Sequence, residues 1–230
     1  MRLAALTLSL GLVFAGSTVA LAEQTLRMIS VSGQGEVAAE PDMATVRIGV
    51  TYESAEASEA MAQTSQGASK VLARLQEAGI APRDLQTGSI SLNPVWSNNR
   101  QTDEPARITG FVASISVTAR VRALETLGFV LDAVVSDGAN HLGGIQFGFQ
   151  NPDPLMDEAR RRAVADGQAK ARLLADAAGV ALGPLQSMSE FGGAPRPESF
   201  ALASRAADMP IATGELSLSA NVSMVYAIGE

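Results

Sequence analysis

Side chains that could perform chemistry are few and scattered in this sequence. Cysteine is absent and His141 is the only histidine, so neither a thiol nucleophile nor a cluster of imidazole metal ligands can form. Asn140 and His141 follow a predicted helix end and precede Gly143 and Gly144, which is typical of a partly exposed turn, although one histidine could act as a base. The sequence therefore predicts no catalytic residue, no metal site and no cofactor.

Gly33 and Gly35 raise the question of a phosphate-binding loop. A dinucleotide fingerprint needs a third glycine and a following helix, but Ala38 occupies the third position and an acidic, proline-containing turn leads into a strand instead. Both glycines share one face of a predicted strand with Ile29 and Val31. We interpret them as a place where another element approaches the sheet closely, or where a bulge bends it.

Charged residues narrow the classes of partner. The formal net charge of −7 disfavours polyphosphate, so no nucleic acid is expected. The densest basic run, Arg160-Arg161-Arg162, lies among helix-forming residues and is interpreted as a solvated helix face, with an anion site as the alternative. Asp157 and Glu158 are expected in the first turn of that helix, where they oppose its dipole, and do not indicate a glycosidase.

The methionines show no clustering of the kind expected for a thioether copper site. Most are predicted to fill gaps in the core, and Met43, Met61 and Met224 fall on or beside apolar faces. Met209 lies in a long loop and is predicted to be the first methionine that peroxide oxidises.

Residues 1–22 resemble a secretory signal. Arg2 precedes an apolar run that is shorter than a membrane span, and small residues precede a cleavage point after Ala22. An uncleaved anchor is the alternative. The mature chain, 23–230, has no second apolar run of spanning length, so we expect a soluble periplasmic or secreted protein without a transmembrane segment, for which peripheral association with the envelope stays open.

The remaining pattern predicts an α+β fold. Residues 43–52 alternate, with Thr45 and Arg47 on the polar face, and residues 108–121 alternate likewise. The order strand, helix, strand, strand, helix, strand over 43–149 is that of a split βαβ (βαββαβ-like) unit with an antiparallel sheet. In it, the second strand is expected over 85–95, stopped by Pro94 and the polar stretch 97–104.

The segment 150–230 is predicted to add a long C-terminal helix and closing strands. Asp153 is expected to cap the helix with Pro154 at its first position. A stripe of mostly small residues at helical spacing indicates close packing on a sheet; it comprises Leu155, Ala159, Ala163, Gly167, Ala171, Leu174 and Ala178. Strands are expected at 182–190 and 216–228, and residues 191–214 form a loop long enough to be functional or disordered.

Four blocks in this order resemble the SIMPL-domain family, which includes the YggE-like and periplasmic immunogenic proteins of Gram-negative bacteria. They are VSGQGEVAAEPDMATVRIGV, AGIAPRDLQTGSISLNPVW, ITGFVASISVTARVRALETLGFVLDAVVSDGANHLGGIQFGF and EARRRAVADGQAKARLLADAAGVALGPLQSMSE. The resemblance implies an exported α+β protein associated with envelope and oxidative stress, with relatives that assemble into large rings. It supplies no catalytic residue and no cofactor. Residues 97–104 and 191–214 match least.

Three classes of function stay open: a self-assembling envelope protein, a small-molecule or peptide-binding module, and an enzyme. We favour the first, because no reactive groups converge in the sequence. The expected partner is a second copy of the chain in a homo-oligomer that rotational symmetry could close into a ring. Trp96, the only tryptophan, stands beside a polar loop and is the predicted interface residue, unless it folds back onto its own sheet.

Overall fold

The computed structural model describes residues 27–97, 105–191, 198–199 and 211–229, and so excludes the predicted signal and the loop methionine Met209. The strands are β1 (Met28–Ala39), β2 (Met43–Ser54), β3 (Leu85–Trp96), β4 (Ile108–Val121), β5 (His141–Gly148), β6 (Ala181–Phe191), β7 (Glu198–Ser199) and β8 (Leu216–Gly229). The α-helices are α1 (Ala57–Glu77), α2 (Leu127–Ser136) and α3 (Asp153–Ala178). The predicted α+β class is confirmed.

One sheet contains β3, β4, β2 and β5 in that order, and we call it sheet B. All of its neighbouring strands are antiparallel, with α1 and α2 as the two crossovers. This arrangement is the split βαβ unit that the order of elements predicts. Leu75 and Val71 of α1 and Leu131 of α2 are fully buried against the strand face that carries Ile48 and Val117, because the apolar positions of β2 and β4 alternate as expected.

The second sheet, sheet A, contains β1, β8 and β6, with β7 paired to the start of β8. Strand β1 pairs with β8 over its whole length without a register shift, so there is no bulge at its two glycines. A Cβ at Gly33 would lie 2.0 Å from the carbonyl oxygen of Ala163, and one at Gly35 would lie 2.0 Å from that of Ala159. Close approach of α3 is therefore the correct interpretation of the glycine pair.

Helix α3 differs in detail from its predicted form. Its N-cap is Pro152, and Asp153 is the first helical residue, so the expected capping role of Asp153 is wrong; the side chain of Asn151 accepts a hydrogen bond from the Asp153 N–H. The buried stripe comprises Ala159, Ala163, Gly167, Ala171 and Ala175. The predicted members Leu174 and Ala178 are exposed, because a strict four-residue repeat places Ala175 against the sheet.

Two predicted strand and loop boundaries also change. Strand β3 ends at Trp96, one residue beyond its predicted end, and contains Pro94; β3 lies at the edge of sheet B, where a residue without an N–H is tolerated. The predicted loop 191–214 contains a short strand, since Glu198 pairs with Ser217 and Ser199 with Leu216. The rest of that segment up to residue 210, apart from Phe191, lies outside the described residues.

The two sheets meet at the chain connections around β5 and β8. Ile211, just before β8, packs against the core of sheet B, and a cavity of about 210 Å³ lies between Phe147 and Phe149 on one side and Leu216 and Leu218 on the other. Within the described residues, no helix is long and apolar enough to cross a membrane.

Candidate functional site

His141 is the first residue of β5 rather than a turn residue, so that part of the expectation is wrong. Its side chain is exposed and lies over Gly49 of the adjacent strand, where a Cβ at position 49 would come within 3.0 Å of the His141 Cβ. In the part of the chain that the structure describes, no group of three His, Cys, Asp or Glu side chains could hold a metal ion.

The basic run on α3 is neutralised by neighbouring acids. Arg160 pairs with Asp157 at 3.0 Å and with Glu190 of β6 at 2.9 Å. Arg161 and Arg162 both pair with Glu158, at 3.0 and 3.1 Å. These exposed i,i+3 and i,i+4 pairs are those of a solvated helix face, as predicted, and leave no unpaired charge for an anion at the run.

A buried carboxylate lies at a position that no local sequence pattern predicts. Asp84 follows α1 in a 3₁₀ turn and is 5% exposed, and both of its oxygens accept hydrogen bonds of 2.7 Å from Arg122 at the end of β4. The Arg122 hydrogen bonds hold the pKa of Asp84 below its ordinary value despite burial. This bidentate pair ties the α1–β3 connection to β4 and is a structural clamp.

The outer edge of β1 is closed by side chains of α3. Arg162 donates a hydrogen bond of 2.8 Å to the carbonyl oxygen of Glu36, and Lys170 donates one of 3.2 Å to that of Ser32. Between them, the Gln34 N–H donates to the Asp166 carboxylate at 2.8 Å. Because these groups point away from β8, the helix satisfies the edge that another strand would otherwise pair with.

The outer edge of β3 has a different character. Helix α1 packs mainly over β4 and β2, and Ile90, Leu92 and Trp96 of β3 are 60%, 42% and 55% exposed. Ile90 and Leu92 pair in register with Ile115 and Ala113, so they lie on the helix side of sheet B, beyond the cover of α1. Trp96 pairs with Ile108, which is also exposed. We call Ile90, Leu92, Trp96 and Ile108 the β3 patch.

Strand β6 carries a second set of exposed apolar side chains at the edge of sheet A. Leu185, Met188 and Phe191 are each exposed by about two fifths to a half. Leu185 and Met188 pair with Tyr226 and Met224, so they lie on the α3 side of the sheet. Helix α3 covers β1 and β8 far more than β6, which leaves this second patch uncovered.

The face of sheet B opposite its helices is open and polar. It displays Thr45, Arg47 and Thr51 of β2, and Ser116 and Arg120 of β4 among other hydroxyl side chains. Sequence reasoning placed Arg47 and Arg120 on the polar faces of their strands but did not bring them together. The missing information was the register, in which Thr45 lies opposite Arg120 and Arg47 opposite Thr118.

The sequence matches the model of one protein family over residues 29–226. That family is SIMPL, described as a protein of unknown function (DUF541). The matched range begins in β1 and ends in β8, and therefore includes both sheets and all three α-helices.

Curated proteins show the same similarity. The chain is 40% identical over 211 residues to a 26 kDa periplasmic immunogenic protein of Brucella melitensis biotype 1, covering 87% of this chain and 84% of the relative. A 26 kDa periplasmic immunogenic protein of Brucella abortus strain S19 matches to the same extent. An uncharacterized protein YggE of Escherichia coli K12 is 28% identical over 160 residues, covering 70% of this chain and 64% of the relative.

Proposed function

Since the chain belongs to the SIMPL family, we propose that it is an exported, non-enzymatic envelope protein that assembles with copies of itself and contributes to tolerance of oxidative and envelope stress. The observation that carries the assembly part is the β3 patch, an exposed apolar surface at a sheet edge that no described strand or helix covers. Export after cleavage at Ala22 into the periplasm agrees with the name of the Brucella relatives and with the apolar start of the sequence.

The β3 edge favours contact through side chains over a continuous backbone ladder. Pro94 has no N–H to donate, and a register shift between Thr87 and Ile90 breaks the regularity of the strand. Both features limit pairing with an added strand to a short central stretch. Trp96 then supplies the large aromatic surface that anchors interfaces, and Ile90 and Leu92 add exposed apolar surface farther along the same strand.

Light scattering on mature 23–230 tests the proposal. We expect a mass several times that of one chain, and Trp96→Ala should weaken the assembly by about 2 kcal/mol, which is the loss expected for an anchor residue. The matched control is Phe129→Ala, since Phe129 is an exposed aromatic on α2, outside the patch. A monomeric mass across micromolar concentrations contradicts assembly, whereas an oligomer indifferent to Trp96→Ala removes only the anchor.

Introduced cysteines can map the contact, because the chain has none of its own. Leu92→Cys on β3 should form a disulfide between copies if two β3 patches meet, since a bridge requires Cα atoms about 4.4–6.8 Å apart. If the β3 patch meets the β6 patch of the next copy, Leu92→Cys should bridge only when combined with Met188→Cys. The second arrangement is head-to-tail and can close into a ring.

The non-enzymatic part of the proposal is tested at His141. His141→Ala should leave the folded structure and any stress phenotype unchanged, because the imidazole is exposed and faces no clustered carboxylate or metal ligand among the described residues. If a folded His141→Ala protein fails to support the phenotype that the parent supports, a chemical role for the imidazole replaces the present proposal. The phenotype is measured as survival of a deletion strain under peroxide.

A small-molecule or peptide-binding module is the second candidate. It is favoured by a cavity of about 260 Å³ between the end of α1 and the end of β4, lined in part by Arg83, Arg120 and Arg122. This volume is below the roughly 300–1,000 Å³ of typical ligand pockets, so it fits a small ligand only. Recovery of a stoichiometric small molecule or peptide from the purified native protein would favour this candidate over assembly alone.

A further inference from the structure

The open face of sheet B carries a depression at a bulge in β5. Register between β2 and β5 shifts as Val46 pairs with Ile145 but Ile48 pairs with Leu142, so the extra β5 residue falls at Gly143 and Gly144, beside Arg47. Bulges of this kind bend a strand and re-aim neighbouring side chains, and they are common beside binding sites. The resulting depression has a volume of about 150 Å³, room for about five waters at roughly 30 Å³ each.

The structure explains why both residues of the bulge are glycines. Gly144 has a φ of +107°, which side-chain-bearing residues rarely adopt. A Cβ at Gly143 would lie 3.1 Å from Cδ of Arg47 and 3.2 Å from its Cβ and Cγ. The glycine backbone thus lies against the aliphatic stem of Arg47 and restricts where its guanidinium can point.

The depression offers hydrogen-bond donors, and two arginine side chains in or beside it form no ion pair with a described acid. Thr45, Thr118 and Gln146 line it together with Arg47, and Arg120 lies directly across from Thr45 on β4. Among the described residues, neither Arg47 nor Arg120 takes part in an ion pair with an acid. Asp84 interacts electrostatically with Arg120 but does not form an ion pair with it. Both oxygens of the Asp84 carboxylate already accept hydrogen bonds from Arg122.

We propose that this depression, lined by Arg47, Thr45, Thr118 and Gln146, is a binding site for a phosphate group that Arg120 contacts from the adjacent strand. Two guanidinium groups placed as diagonal neighbours on adjacent strands repel each other, and an anion between them removes the repulsion. Guanidinium recognises phosphate through paired hydrogen bonds, and two of them match the charge of a phosphate dianion better than that of one carboxylate. The phosphate belongs either to a soluble molecule or to a lipid headgroup.

The primary test is calorimetric titration of mature 23–230 with inorganic phosphate, at constant ionic strength and against sodium acetate as the carboxylate comparison. A second arm measures sedimentation with phosphatidylcholine vesicles that contain phosphatidic acid, and with phosphatidylcholine vesicles alone. We expect saturable binding in at least one phosphate arm and weaker binding of acetate. Binding of free phosphate identifies a soluble source, and binding only to phosphatidic acid vesicles identifies a headgroup.

Variants connect the binding to this site. Arg47→Gln and Arg120→Gln should each weaken binding about tenfold, the loss expected for hydrogen bonds to a charged group. Arg47→Lys should recover part of it, since the charge is kept and the planar fork is lost. Arg172→Gln, an exposed cation on α3, is the matched control and should bind as the parent does.

Circular dichroism and light scattering verify that each variant keeps the fold and assembly state of the parent. Because both arginines are exposed, at least one glutamine variant is expected to fold. The phosphate affinity of one folded variant is enough to test the proposal. The proposal is overturned if neither phosphate probe binds, or if a folded Arg47→Gln or Arg120→Gln protein binds phosphate as tightly as Arg172→Gln does.

Discussion

The helices of the two sheets pack on their strands in different ways. In sheet A, the backbone of α3 lies directly against Gly33 and Gly35 of β1. Arg162 and Lys170 of the same helix donate hydrogen bonds to the outer edge of β1. In sheet B, α1 and α2 pack on the strands through larger side chains such as Val71, Leu75 and Leu131. These helices do not cover the β3 patch or the opposite face of the sheet. The absence of side chains at Gly33 and Gly35 allows close contact, and the close contact brings Arg162, Asp166 and Lys170 within hydrogen-bond distance of the strand edge.

This difference separates a surface that serves stability from surfaces available to partners. The α3 contact uses small residues on both elements, so it tolerates no added atom and displays little apolar surface on its β1 side. Sheet B keeps a dense core of Val, Leu and Ile under its helices, which stabilises it while its edge and polar face stay open. We therefore expect mutations in the first region to affect folding and mutations in the second to affect association.

The largest expected effect is at the glycines of β1. Gly33→Ala or Gly35→Ala should lower the free energy of unfolding by about 3 kcal/mol, because the new methyl group meets the α3 backbone and the helix must move away. Urea denaturation monitored by circular dichroism measures it. Gly128→Ala is the control: no atom lies within 4 Å of its added Cβ, and in a helix the change should stabilise by roughly 0.5–1 kcal/mol. Equal changes in stability for the Gly33, Gly35 and Gly128 variants would contradict the proposal that α3 packs more closely on its sheet than the helices of sheet B do.

Within sheet B, the clamp between Asp84 and Arg122 should give the next largest effect. Asp84→Asn should destabilise the chain by about 2 kcal/mol at neutral pH, since two charge-assisted hydrogen bonds to a buried group are weakened. Thermal unfolding measures the change. Glu125→Gln, an exposed acid on the neighbouring turn, is the control and should alter stability little.

The clamp also predicts a pH dependence whose sign follows from its pKa. Because the pKa of Asp84 is lower in the folded chain than the unfolded value of about 3.9, the stabilisation is complete above that value. It is lost as pH falls below about 4 toward the folded pKa, where the carboxylate is protonated. Asp84→Asn should remove this part of the acid sensitivity; an unchanged slope between about pH 4 and pH 2 would contradict the assignment.

A smaller effect distinguishes the methionines of sheet A. Met28 and Met188 are about half exposed, whereas Met224 is fully buried with its sulfur close to Gly167. Mild peroxide followed by peptide mapping should therefore find Met28 and Met188 oxidised well before Met224. The earlier expectation that Met209 reacts first stays a prediction, since Met209 lies outside the described residues. Early oxidation of Met224 in folded protein would mean that the α3 contact opens readily.

The smallest effect concerns the closed edge of β1. The pKa of Asp166 is lowered by its hydrogen bond with Lys170 and by the Gln34 N–H, and Asp166→Ala removes the acceptor of that N–H. Hydrogen exchange should become faster at the Gln34 amide while the β1–β8 ladder stays protected. Lys70→Ala, a change at an exposed lysine on α1, should leave the Gln34 exchange rate unaltered. Unchanged exchange in Asp166→Ala would show that the carboxylate does not close this edge.

Most elements were predictable because their causes are local. Alternation in β2, β4 and β8 and helical spacing in α1 arise from the two periodicities of side-chain direction, and the sequence alone shows them. The family resemblance, now confirmed, was likewise carried by the order of the sequence blocks. A local cue failed at Asp153, which is the first residue of α3 and donates its N–H to the Asn151 side chain.

The sequence by itself determined the α+β class, the glycine pair and the scarcity of reactive side chains, since each depends on residue type or on spacing along one segment. Only the tertiary structure decided that α3 is the element approaching Gly33, that β1 closes sheet A beside β8, and that Arg47 lies diagonal to Arg120. It also decided that Trp96 lies at an open edge. These features depend on strand order and register, which arise from contacts between residues far apart in the chain and leave no trace in any local pattern.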